Sequence, residues 1–346
     1  MSPPQLALLL EEPKGDFVVR QKEIQTPPPG EVLIKIHAAA LNPGEWKVHR
    51  SGALIESYPA MLGTDTAGEV EAVGEGVTKF KKGDRVLGSG FFTLDRGAYQ
   101  QYSLIPAVFL AKLPDTLSYD EGATLPMAFV TAAKGLLAAE PFGAGLNPSF
   151  EWPTTQHSGE TALVIGGSTS VGQLVIQVLK LLGFTNIVAY ASKKHHAFLT
   201  ELGATQCVDR AAVSLDALAD LIPSAHIVYD CVAADEGFAA SKIVRSDGCA
   251  ITVDIVSERS DAAKEVGKGK KFVAVFAVSF LPGGHGEVGE MLWPLFGKLL
   301  EQGLIKPNRF EILPGGLKAV AGGLDKLARD EVSGVKLVVH PQETVL

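Results

Sequence analysis

Apolar residues follow two different spacings along the chain, one before residue 118 and another after it. In the first part, short alternating or continuously apolar segments are separated by Gly and Pro, as in the turns PPPGE (27–31) and KKGDR (81–85). Segments of this kind predict β-strands, and Gly and Pro favour the turns between them. The predicted strands are residues 5–10, 17–24, 32–41, 66–73, 85–88 and 97–105. This pattern is typical of a β-rich, barrel-like domain.

After residue 118 the spacing becomes helical, and apolar strands then alternate with helices. Strands are predicted from residue 161 into a turn at 166, and at 186–191, 206–208, 226–231, 248–253 and 271–279. Helices are predicted at 119–123, 128–139, 171–182, 195–202, 215–221, 236–243 and 287–301. Such alternation favours a parallel sheet with helices on both faces. A closing strand, 335–340, is expected to return to the first domain. The predicted domains are 1–127 with the return segment 281–346, and 128–280.

The stretch LVIGGSTSVG, from Leu163 to Gly172, joins an apolar strand to a helix through a glycine-rich turn. Glycine permits a sharp bend and a close approach to a pyrophosphate, and the N-terminus of the following helix points unpaired N–H groups at the anion. The spacing is G-x-T-x-x-G, which departs from G-x-G-x-x-G at its middle position. On the motif alone, a turn with no ligand stays open as the alternative. The expected pyrophosphate contacts are Gly167, Ser168, Thr169, Ser170, Val171 and Gly172.

The second strand of this βαβ unit ends in the run YASKKHH, residues 190–196, which contains no Asp or Glu. A site specific for NAD usually carries a carboxylate there to hold the ribose 2′-hydroxyl. A hydroxyl followed by cations suits the 2′-phosphate of NADPH instead. The expected 2′-phosphate contacts are Ser192, Lys193 and, after the next strand, Arg210. Taken as a charge run alone, Lys193 and Lys194 would be a solvated helix start.

Composition limits the classes of function. Of the 346 residues, 46% are hydrophobic and 20% are charged, so two folded domains with sizeable cores are expected. Acidic residues outnumber basic ones by 39 to 31, and the net charge of −8 argues against a nucleic-acid surface. No apolar run is long enough to span a bilayer and the N-terminus has no basic leader, so a cytoplasmic protein is expected. Cys207, Cys231 and Cys249 lie in apolar segments, which favours buried thiols over a disulfide or metal site.

The segment AGEVEAVGEGVTKFKKGDRV, residues 67–86, carries glycines at 68, 74, 76 and 83 and precedes the internal dinucleotide fold. Together with GATQCVDR (203–210) and VYDCV (228–232), this order of parts resembles the medium-chain dehydrogenase/reductase superfamily over essentially the whole length. The resemblance implies an α/β protein with a doubly wound Rossmann parallel sheet that binds the cofactor. It also implies a β-rich GroES-like barrel as the catalytic domain.

Zinc alcohol dehydrogenases of this superfamily place a Cys, a His with an acid, and a later Cys around a catalytic metal. The positions that resemble these ligands hold Asn42, Thr64 with Asp65, and Met127. Asn, Thr and Met do not complete a tetrahedral zinc site of nitrogen and sulfur ligands. Residues 88–102, where a four-cysteine structural lobe would lie, contain no Cys. The sequence therefore predicts that no metal is bound.

Two further segments, ALNPGEWKVHRSG (40–52) and LPMAFVTAAKGL (125–136), resemble the NPxDWK and PxxxxTA elements of fungal enoyl reductases, including those that act in trans on polyketide synthases. Glu45 stands where Asp is common in that element. The resemblance implies a zinc-independent oxidoreductase that reduces an activated C=C bond with NADPH, delivering hydride to the β-carbon. The substrate would be a small enone or a carrier-bound polyketide chain, and a polyketide synthase would be a partner.

Alternatives stay open at this point. An NADPH quinone oxidoreductase belongs to the same zinc-free branch, and a redox-silent NADPH-binding protein of the crystallin or sensor type would keep the phosphate turn without turnover. The strand at 271–279 lies at or near the sheet edge and could pair with a second subunit, so monomer and homodimer are both open. No nucleic-acid or membrane partner is expected.

Conjugate reduction builds negative charge on the carbonyl oxygen and requires a proton, so the site needs a donor beside that oxygen. The resemblance implies that Lys47 and Thr131 lie by the nicotinamide, Lys47 as a positioning cation and Thr131 as a hydroxyl to the carbonyl or ribose. A solvent-facing lysine on a short helix is the alternative for Lys47. Tyr58 is a candidate proton donor, with an ordinary half-buried tyrosine and a proton from solvent as alternatives.

The remaining cofactor contacts are inferred one by one. Asn42 precedes a proline and is expected to cap a turn or to line the nicotinamide pocket. Val232 and Val253 are expected to wall the nicotinamide. Lys336, in GVKLV, resembles a late basic residue that reaches back to the phosphates.

Overall fold

The computed structural model describes residues 4–152, 156–222, 224–232, 240–253, 269–277 and 285–346. The chain divides into two units, Met1–Met127 with Phe296–Leu346 (unit 1) and Ala128–Leu295 (unit 2). The sequence predicts that the chain returns to the first domain at residue 281. The structure instead puts this boundary between Leu295 and Phe296, inside the helix His285–Glu301, which continues without a break across it.

Unit 1 begins with β-strands, as the alternating spacing predicts. Its first strands are β1 (Pro4–Leu10), β2 (Phe17–Glu23), β3 (Glu31–Ala40), β4 (Asp65–Val73), β5 (Arg85–Ser89), β6 (Tyr102–Pro106) and β7 (Leu110–Lys112). Helices between and after them are α1 (Pro43–Ser51), α2 (Tyr119–Ala123) and the start of α3 (Pro126–Leu137). β1 and β2 pair as an antiparallel hairpin. The sequence does not predict β7, because so short a segment cannot show a period.

Unit 2 is built on a parallel sheet whose strands alternate with helices. Its strands are β8 (Thr161–Ile165), β9 (Asn186–Ala191), β10 (Gln206–Asp209), β11 (Ala225–Asp230), β12 (Val244–Thr252) and β13 (Lys271–Ala274). Its helices include α4 (Ser170–Leu181), α5 (His196–Leu202), α6 (Leu218–Leu221) and the start of α7 (His285–Glu301). Neighbouring strands run parallel in the order β10, β9, β8, β11, β12, β13. Counted along the chain this order is 3-2-1-4-5-6, which is typical of dinucleotide-binding folds.

Some predicted elements of unit 2 extend past the described residues. The predicted helix 236–243 is described only at its end, where Ala240–Ile243 forms a 3-10 helix. The predicted strand 271–279 is shorter in the structure, because β13 ends at Ala274 and residues 278–279 lie outside the described ranges. Within those ranges, no helix is long and apolar enough to cross a membrane.

The last elements of the chain belong to unit 1. They are β14 (Phe310–Ile312), α8 (Val320–Ala328) and β15 (Lys336–Val339). The sheet of unit 1 runs β14, β15, β3, β4, β5, β7, and β6 also pairs with β3. β15 is antiparallel to the end of β3, with Val338 opposite Ala40, and all of its residues are buried. Lys336 therefore begins a strand in the interior of unit 1.

Candidate active and cofactor site

The glycine turn leaves β8 in the middle of the parallel sheet. Ile165 ends the strand, and the N–H groups of Gly166 and Gly167 both donate to the carbonyl oxygen of Tyr190 on β9, at 3.0 and 3.2 Å. Gly166 has a φ of +73°, a backbone conformation that glycine adopts without steric strain. The chain can therefore turn sharply here and enter α4.

Thr169 accounts for the departure from the three-glycine motif. It is the N-cap residue of α4, and its hydroxyl oxygen accepts the N–H of Gly172 at 3.0 Å. A Cβ on Gly172 would lie 2.8 Å from the Cα of Gly167, so only glycine lets the helix pack this closely against the turn. Free N–H groups at a helix N-terminus bind phosphate. Within the described residues, no protein acceptor faces the backbone N–H groups of Ser168, Ser170 and Val171.

Basic side chains follow β9 and β10, two strands that end next to each other in the sheet. Asp209 is paired with Ala191 across the two strands, and the N–H of Arg210 donates to the Ala191 carbonyl oxygen at 3.2 Å. Ser192 and Lys193 follow β9 directly. The side chains of Lys193 and Arg210 are exposed. The structure therefore brings Ser192, Lys193 and Arg210 together at one end of the sheet.

The sequence analysis missed a carboxylate that lies where β9 and β10 end. Asp209 ends β10, and its Oδ1 accepts the N–H groups of Lys193 at 3.3 Å and of Ala211 at 3.1 Å. The carboxylate thus holds the loop that carries Lys193. The sequence shows an Asp before Arg210, but only the strand order puts the end of β10 next to the end of β9.

Some side chains of the run 190–196 point inward. Tyr190 is 8% exposed and donates its hydroxyl to the carbonyl oxygen of Val213 at 2.8 Å. His195 is buried as well. The hydroxyl that stands with the exposed cations is therefore that of Ser192, because the Tyr190 hydroxyl is used inside unit 2.

Val232 and Val253 follow the adjacent strands β11 and β12. β11 lies beside β8, where the strand order reverses, and sheets of this type bind ligands at that point. Val232 is 45% exposed, and its Cγ1 would lie 2.5 Å from a Cβ added to Gly166, so it borders the glycine turn. Val253 is half-buried and donates its N–H to the carbonyl oxygen of Asp230 at 3.2 Å. Both valines therefore lie at the end of the sheet that carries the turn.

Unit 1 contains a group of interior polar side chains that we call the buried polar cluster. Each member is less than a tenth exposed, and the members come from distant parts of the chain: Asn42, Glu45, Thr64, Asp65, Tyr99 and Lys336. Interior polar groups require hydrogen-bond partners, because water cannot satisfy them. The members of the buried polar cluster supply those partners to one another.

On one side of the cluster, the carboxylate of Glu45 accepts several hydrogen bonds. Its Oε2 accepts the backbone N–H of Asn42 at 2.8 Å and the hydroxyl of Tyr99. Its Oε1 accepts the backbone N–H of Thr64 at 3.0 Å and the Thr64 hydroxyl at 3.2 Å. Burial raises the pKa of Glu45 to about 7, and the hydrogen bonds from Tyr99 and Asn42 counteract part of that rise.

Asp65 and Lys336 form the other side of the cluster. The Lys336 ammonium forms an ion pair with Oδ2 of Asp65 and donates to Oδ1 of Asn42 at 3.0 Å. The amide nitrogen of Asn42 donates to Oδ2 of Asp65 at 3.0 Å and to the hydroxyl oxygen of Thr64 at 3.1 Å. The second oxygen of Asp65, Oδ1, accepts the backbone N–H of Met127 at 2.7 Å, in the first turn of α3.

These contacts bear on two assignments made from the sequence. The sequence predicts that Lys336 reaches the cofactor phosphates, but its side chain is 2% exposed and its ammonium is taken up by Asp65 and Asn42. The sequence also offers Asn42 as a cap or as a pocket residue. Asn42 is the N-cap residue of α1, with its backbone N–H bound by Glu45 and both ends of its side-chain amide bound within the cluster, and its place at the nicotinamide stays a prediction.

Lys47 and Tyr58 both lie in unit 1. Lys47 is exposed on the second turn of α1, with its Nζ 5.8 Å from the centroid of the Trp46 ring. Tyr58 is half-buried, and its hydroxyl oxygen, shielded from solvent, has no hydrogen-bond partner among the described residues. A phenol without an acceptor of its own is available to donate to a ligand that reaches it.

Thr131 lies on α3 in unit 2, is 6% exposed, and accepts the hydroxyl of Tyr229 on its carbonyl oxygen at 2.8 Å. Three residues on, Lys134 is buried, with its Nζ 5.7 Å from the centroid of the Phe142 ring. Burial lowers the pKa of Lys134 to about 8. A lysine with so perturbed a pKa is a candidate functional residue that sequence reasoning missed. The one signal was a lone cation inside the apolar run FVTAAKGLLAA.

Comparison with known proteins agrees with this architecture. The model of the alcohol dehydrogenase GroES-like domain matches residues 28–115, and the zinc-binding dehydrogenase model matches residues 170–279. The trans-enoyl reductase himH of Aspergillus japonicus is 32% identical, over 90% of this chain and 89% of its own. The enoyl reductase component lovC of the lovastatin nonaketide synthase of Aspergillus terreus is 31% identical, over 90% of each chain.

A solved structure points the same way. The quinone oxidoreductase of Coxiella burnetii superposes with a TM-score of 0.75 at 25% identity, over 97% of this chain and 99% of that one. The chain belongs to the medium-chain dehydrogenase/reductase superfamily and is an oxidoreductase of that family. The predicted fold class, a Rossmann sheet with a β-rich GroES-like domain, is thereby confirmed. The family implies a nicotinamide cofactor.

The name of the second family model raises the question of zinc, which requires nitrogen, thiolate or carboxylate ligands. At the positions of the expected ligands, the amide nitrogen of Asn42 and the hydroxyl of Thr64 are hydrogen-bonded to each other. The ammonium of Lys336 donates to the same Asn42 and would repel a second cation there. These residues do not fit a zinc ion. In the described ranges, no group of three or more His, Cys, Asp and Glu side chains could hold a metal.

Proposed function

We propose that the protein is an NADPH-dependent reductase of C=C bonds conjugated to a carbonyl group, and that it works without a metal. The observation that carries the proposal is the exposed pair of cations, Lys193 and Arg210, beside Ser192 where β9 and β10 end. Cations and a hydroxyl favour the 2′-phosphate of NADPH over the bare hydroxyl of NADH. The free N–H groups at the start of α4 suit the pyrophosphate of the same molecule.

The variant Lys193→Glu tests the cofactor. We expect the KM for NADPH to rise by about tenfold or more, since a cation is replaced by a charge that repels the phosphate, and the KM for NADH to stay within about twofold. Steady-state kinetics with each dinucleotide measures both. Lys242→Glu is the matched control, because Lys242 is an exposed lysine of unit 2 with its own ion pair to Asp216. Equal losses for NADPH and NADH in Lys193→Glu would place the 2′-phosphate elsewhere.

The relatives and the groups in the chain support the proposed reaction. A bound nicotinamide would supply a hydride. Conjugate reduction leaves negative charge on the carbonyl oxygen and needs a proton at the α-carbon or the oxygen. We assign Lys47 as a cation near that oxygen and Thr131 as a hydroxyl donor to the carbonyl or ribose. Tyr58 is the candidate proton donor, because its shielded hydroxyl has no acceptor among the described residues.

Substitutions in these residues test the assignment. Lys47→Met and Thr131→Val should each lower kcat by about tenfold to a hundredfold, since each removes a group that stabilises the developing charge or, if Thr131 binds the ribose, that positions the nicotinamide. Arg50→Met is the control for Lys47→Met, because Arg50 is another exposed cation of α1 stacked on the same Trp46 ring. Tyr58→Phe should lower kcat if the phenol gives the proton. An unchanged kcat in Tyr58→Phe would assign the proton to solvent.

We further propose that the natural substrate is an enoyl chain carried by a polyketide synthase. The names of himH, a trans-enoyl reductase, and of lovC, an enoyl reductase component of a nonaketide synthase, support this class. NADPH oxidation measured side by side with acyl thioesters, simple enones and quinones tests it. Faster turnover of α,β-unsaturated thioesters is expected.

A quinone reductase is the second candidate, favoured by the likeness to the quinone oxidoreductase of Coxiella burnetii. Turnover of quinones alone would select it over the enoyl reductase. Tight NADPH binding without oxidation by any acceptor class would indicate a binding protein without redox activity, and would overturn both enzymatic proposals.

A further inference from the structure

The side chain of Lys336 places a positive charge in the interior of unit 1, and this charge comes from an amino acid rather than from a bound metal ion. The side chains of Lys336 and Asp65 are 2% and 0% exposed, and they form an ion pair. Removing one partner of a buried pair leaves the other charge uncompensated, which is strongly unfavourable. The ion pair lies among Asn42, Thr64 and the backbone of Met127, the positions at which zinc-containing relatives are expected to hold their metal.

The ion pair also joins segments that are far apart in the sequence. Asn42 is the N-cap of α1, Asp65 begins β4, Met127 lies in the first turn of α3, and Lys336 begins β15. The carboxylate of Asp65 is hydrogen-bonded to the other three. A metal ion joins distant segments by binding a lone pair from each of them. Here an ammonium and a carboxylate do so through charge-assisted hydrogen bonds.

We propose that Lys336 is a positioning residue that takes the place of a metal cation: its ammonium orients Asn42 and Asp65 and thereby fixes the first turn of α1, the helix that carries Lys47 on its second turn. The inference rests on the proposed function only in its last step, the effect on Lys47. Its first step, the fixing of α1 by the ammonium, holds for the folded chain whatever the reaction is.

The contacts of Asn42 explain how the charge acts on the helix. The Lys336 ammonium binds Oδ1 of Asn42 and Asp65 binds its amide nitrogen, so the side chain is held at both ends. The backbone N–H of Asn42 is held by Glu45, in the first turn of the same helix. Lys47 follows five residues after Asn42 in a short helix, so a rotation of the first turn moves the Lys47 side chain.

Amide hydrogen exchange tests the first step without any assay of activity. The N–H groups of Asn42, Thr64 and Met127 donate to carboxylates of the cluster. In Lys336→Met we expect all three to exchange faster, by about tenfold or more, because local opening becomes easier. Lys82→Met is the control, since Lys82 has an exposed ion pair with Glu71 in the same unit, and it should leave the three rates unchanged. Unchanged rates in Lys336→Met would overturn the proposal.

A double variant keeps the test decisive if Lys336→Met does not fold. Asp65→Asn combined with Lys336→Met removes both charges of the ion pair, so neither of the two stays buried without its partner. We expect the double variant to be soluble and to melt at a higher temperature than Lys336→Met. A double variant that is as unstable as the single one would show that the charge balance is not what Lys336 supplies. Stoichiometric zinc in the purified wild-type protein, measured by mass spectrometry, would also overturn the proposal.

A double-mutant cycle tests the step to Lys47. Lys336→Met should lower kcat for enone reduction by about tenfold and leave the KM for NADPH within about twofold, whereas a role at the phosphates would raise that KM. If Lys336 acts through Lys47, adding Lys336→Met to Lys47→Met should change kcat little further. Additive losses would overturn the link between the two lysines. If no enone is reduced, the proposed function fails, and the exchange rates still decide on the cluster.

Discussion

Gly172 faces backbone atoms of the glycine turn with no room for a side chain. A Cβ there would lie 2.8 Å from the Cα and 2.9 Å from the carbonyl carbon of Gly167, and backbone atoms cannot move aside alone. We therefore expect Gly172→Ala to lower the free energy of unfolding by about 2 kcal/mol or more, as overpacking does. We also expect weaker binding of the proposed cofactor, NADPH, because the turn has to open. Thermal melts and a dinucleotide titration measure the two effects.

Gly322 provides the control for that substitution. It lies inside α8, and a Cβ added there meets no atom within 4 Å. Gly322→Ala should raise the free energy of unfolding by up to about 1 kcal/mol, because alanine restricts the unfolded chain and favours helix. If Gly172→Ala melted like Gly322→Ala, the close packing at the turn would not be needed.

Glu45 makes folding stability depend on pH. Burial raises its pKa from 4.5 to about 7, so between these values the native state binds more protons than the unfolded chain. The stabilising contribution of protonated Glu45 is therefore fully present below pH 4.5 and is lost as the pH rises through about 7. Glu45→Gln cannot titrate, so the free energy of unfolding of this variant should fall less steeply over that range than that of the wild type.

Urea denaturation at several pH values between these limits measures the two slopes. The Gln side chain has an NH₂ group in place of one acceptor oxygen, and in either orientation this group faces hydrogen-bond donors, those of Asn42 and Tyr99 or those of Thr64. Its overall free energy of unfolding should therefore be lower by about 1–3 kcal/mol. Parallel pH profiles for the wild type and Glu45→Gln would show that Glu45 does not titrate in this range.

Sequence and structure agree on the conformation of the glycine turn and differ at the buried polar cluster for a physical reason. The turn is local: strand, glycines and helix follow one another within Leu163 to Leu181, so spacing alone predicts it. Lys336 meets Asp65 and Asn42 across 271 and 294 residues of chain. No periodicity links residues so far apart, and a lone lysine in an apolar strand does not reveal its partner.

At the scale of elements, α4 shows how closely the local apolar spacing predicts the bounds of a helix. Its apolar spacing predicts residues 171–182, and the structure has Ser170–Leu181 with Thr169 as its N-cap. β7 and β14 are too short for a period of two to be visible, and their strand conformation comes from pairing with β5 and β15. A helix or strand whose own apolar spacing shows its period can therefore be predicted from the sequence. A strand that forms only because it pairs with a neighbouring strand cannot.

Thr169→Ala tests how α4 is held at its start. The substitution removes the oxygen that accepts the N–H of Gly172, so the free energy of unfolding should fall by about 1 kcal/mol. Thr169→Ser keeps this acceptor and should be close to the wild type. Chemical denaturation of both variants without dinucleotide isolates the capping effect. Equal stability of the Ala and Ser variants would contradict a role of the hydroxyl as the cap.

At the scale of the whole molecule, strand order decides which predicted residues meet. The alternation of strands and helices predicts a parallel sheet, but it does not tell which strand ends are neighbours. The order β10, β9, β8, β11 brings Arg210 next to Lys193 and puts Val232 beside Gly166. The same order places the carboxylate of Asp209 beside the backbone of Lys193, and the spacing of the sequence does not predict this contact. The sequence thus predicts Ser192, Lys193 and Arg210 at these strand ends, but it does not predict the negative charge of Asp209 beside them.

The end of the chain is expected to be essential for unit 1. β15 is buried throughout and pairs with β3, and it carries the Lys336 ammonium into the cluster. Beyond it, Gln342 donates to the carbonyl oxygens of Ile36 and Gln101, at 3.0 and 2.7 Å. A chain that ends before Lys336 therefore loses the buried strand between β14 and β3, a buried charge and these contacts together. We expect it to be insoluble or to lack a cooperative thermal transition.

Removal of only Val345 and Leu346 is the matched truncation. Both residues are 72% exposed, so their loss should change the free energy of unfolding by no more than about 0.5 kcal/mol. Calorimetry of the two truncated chains separates the effect of shortening from the loss of β15. A chain ending before Lys336 that still melted cooperatively near the wild-type temperature would show that unit 1 closes its sheet without β15. In that case the Asp65 carboxylate would have to find its neutralising charge elsewhere in the unit.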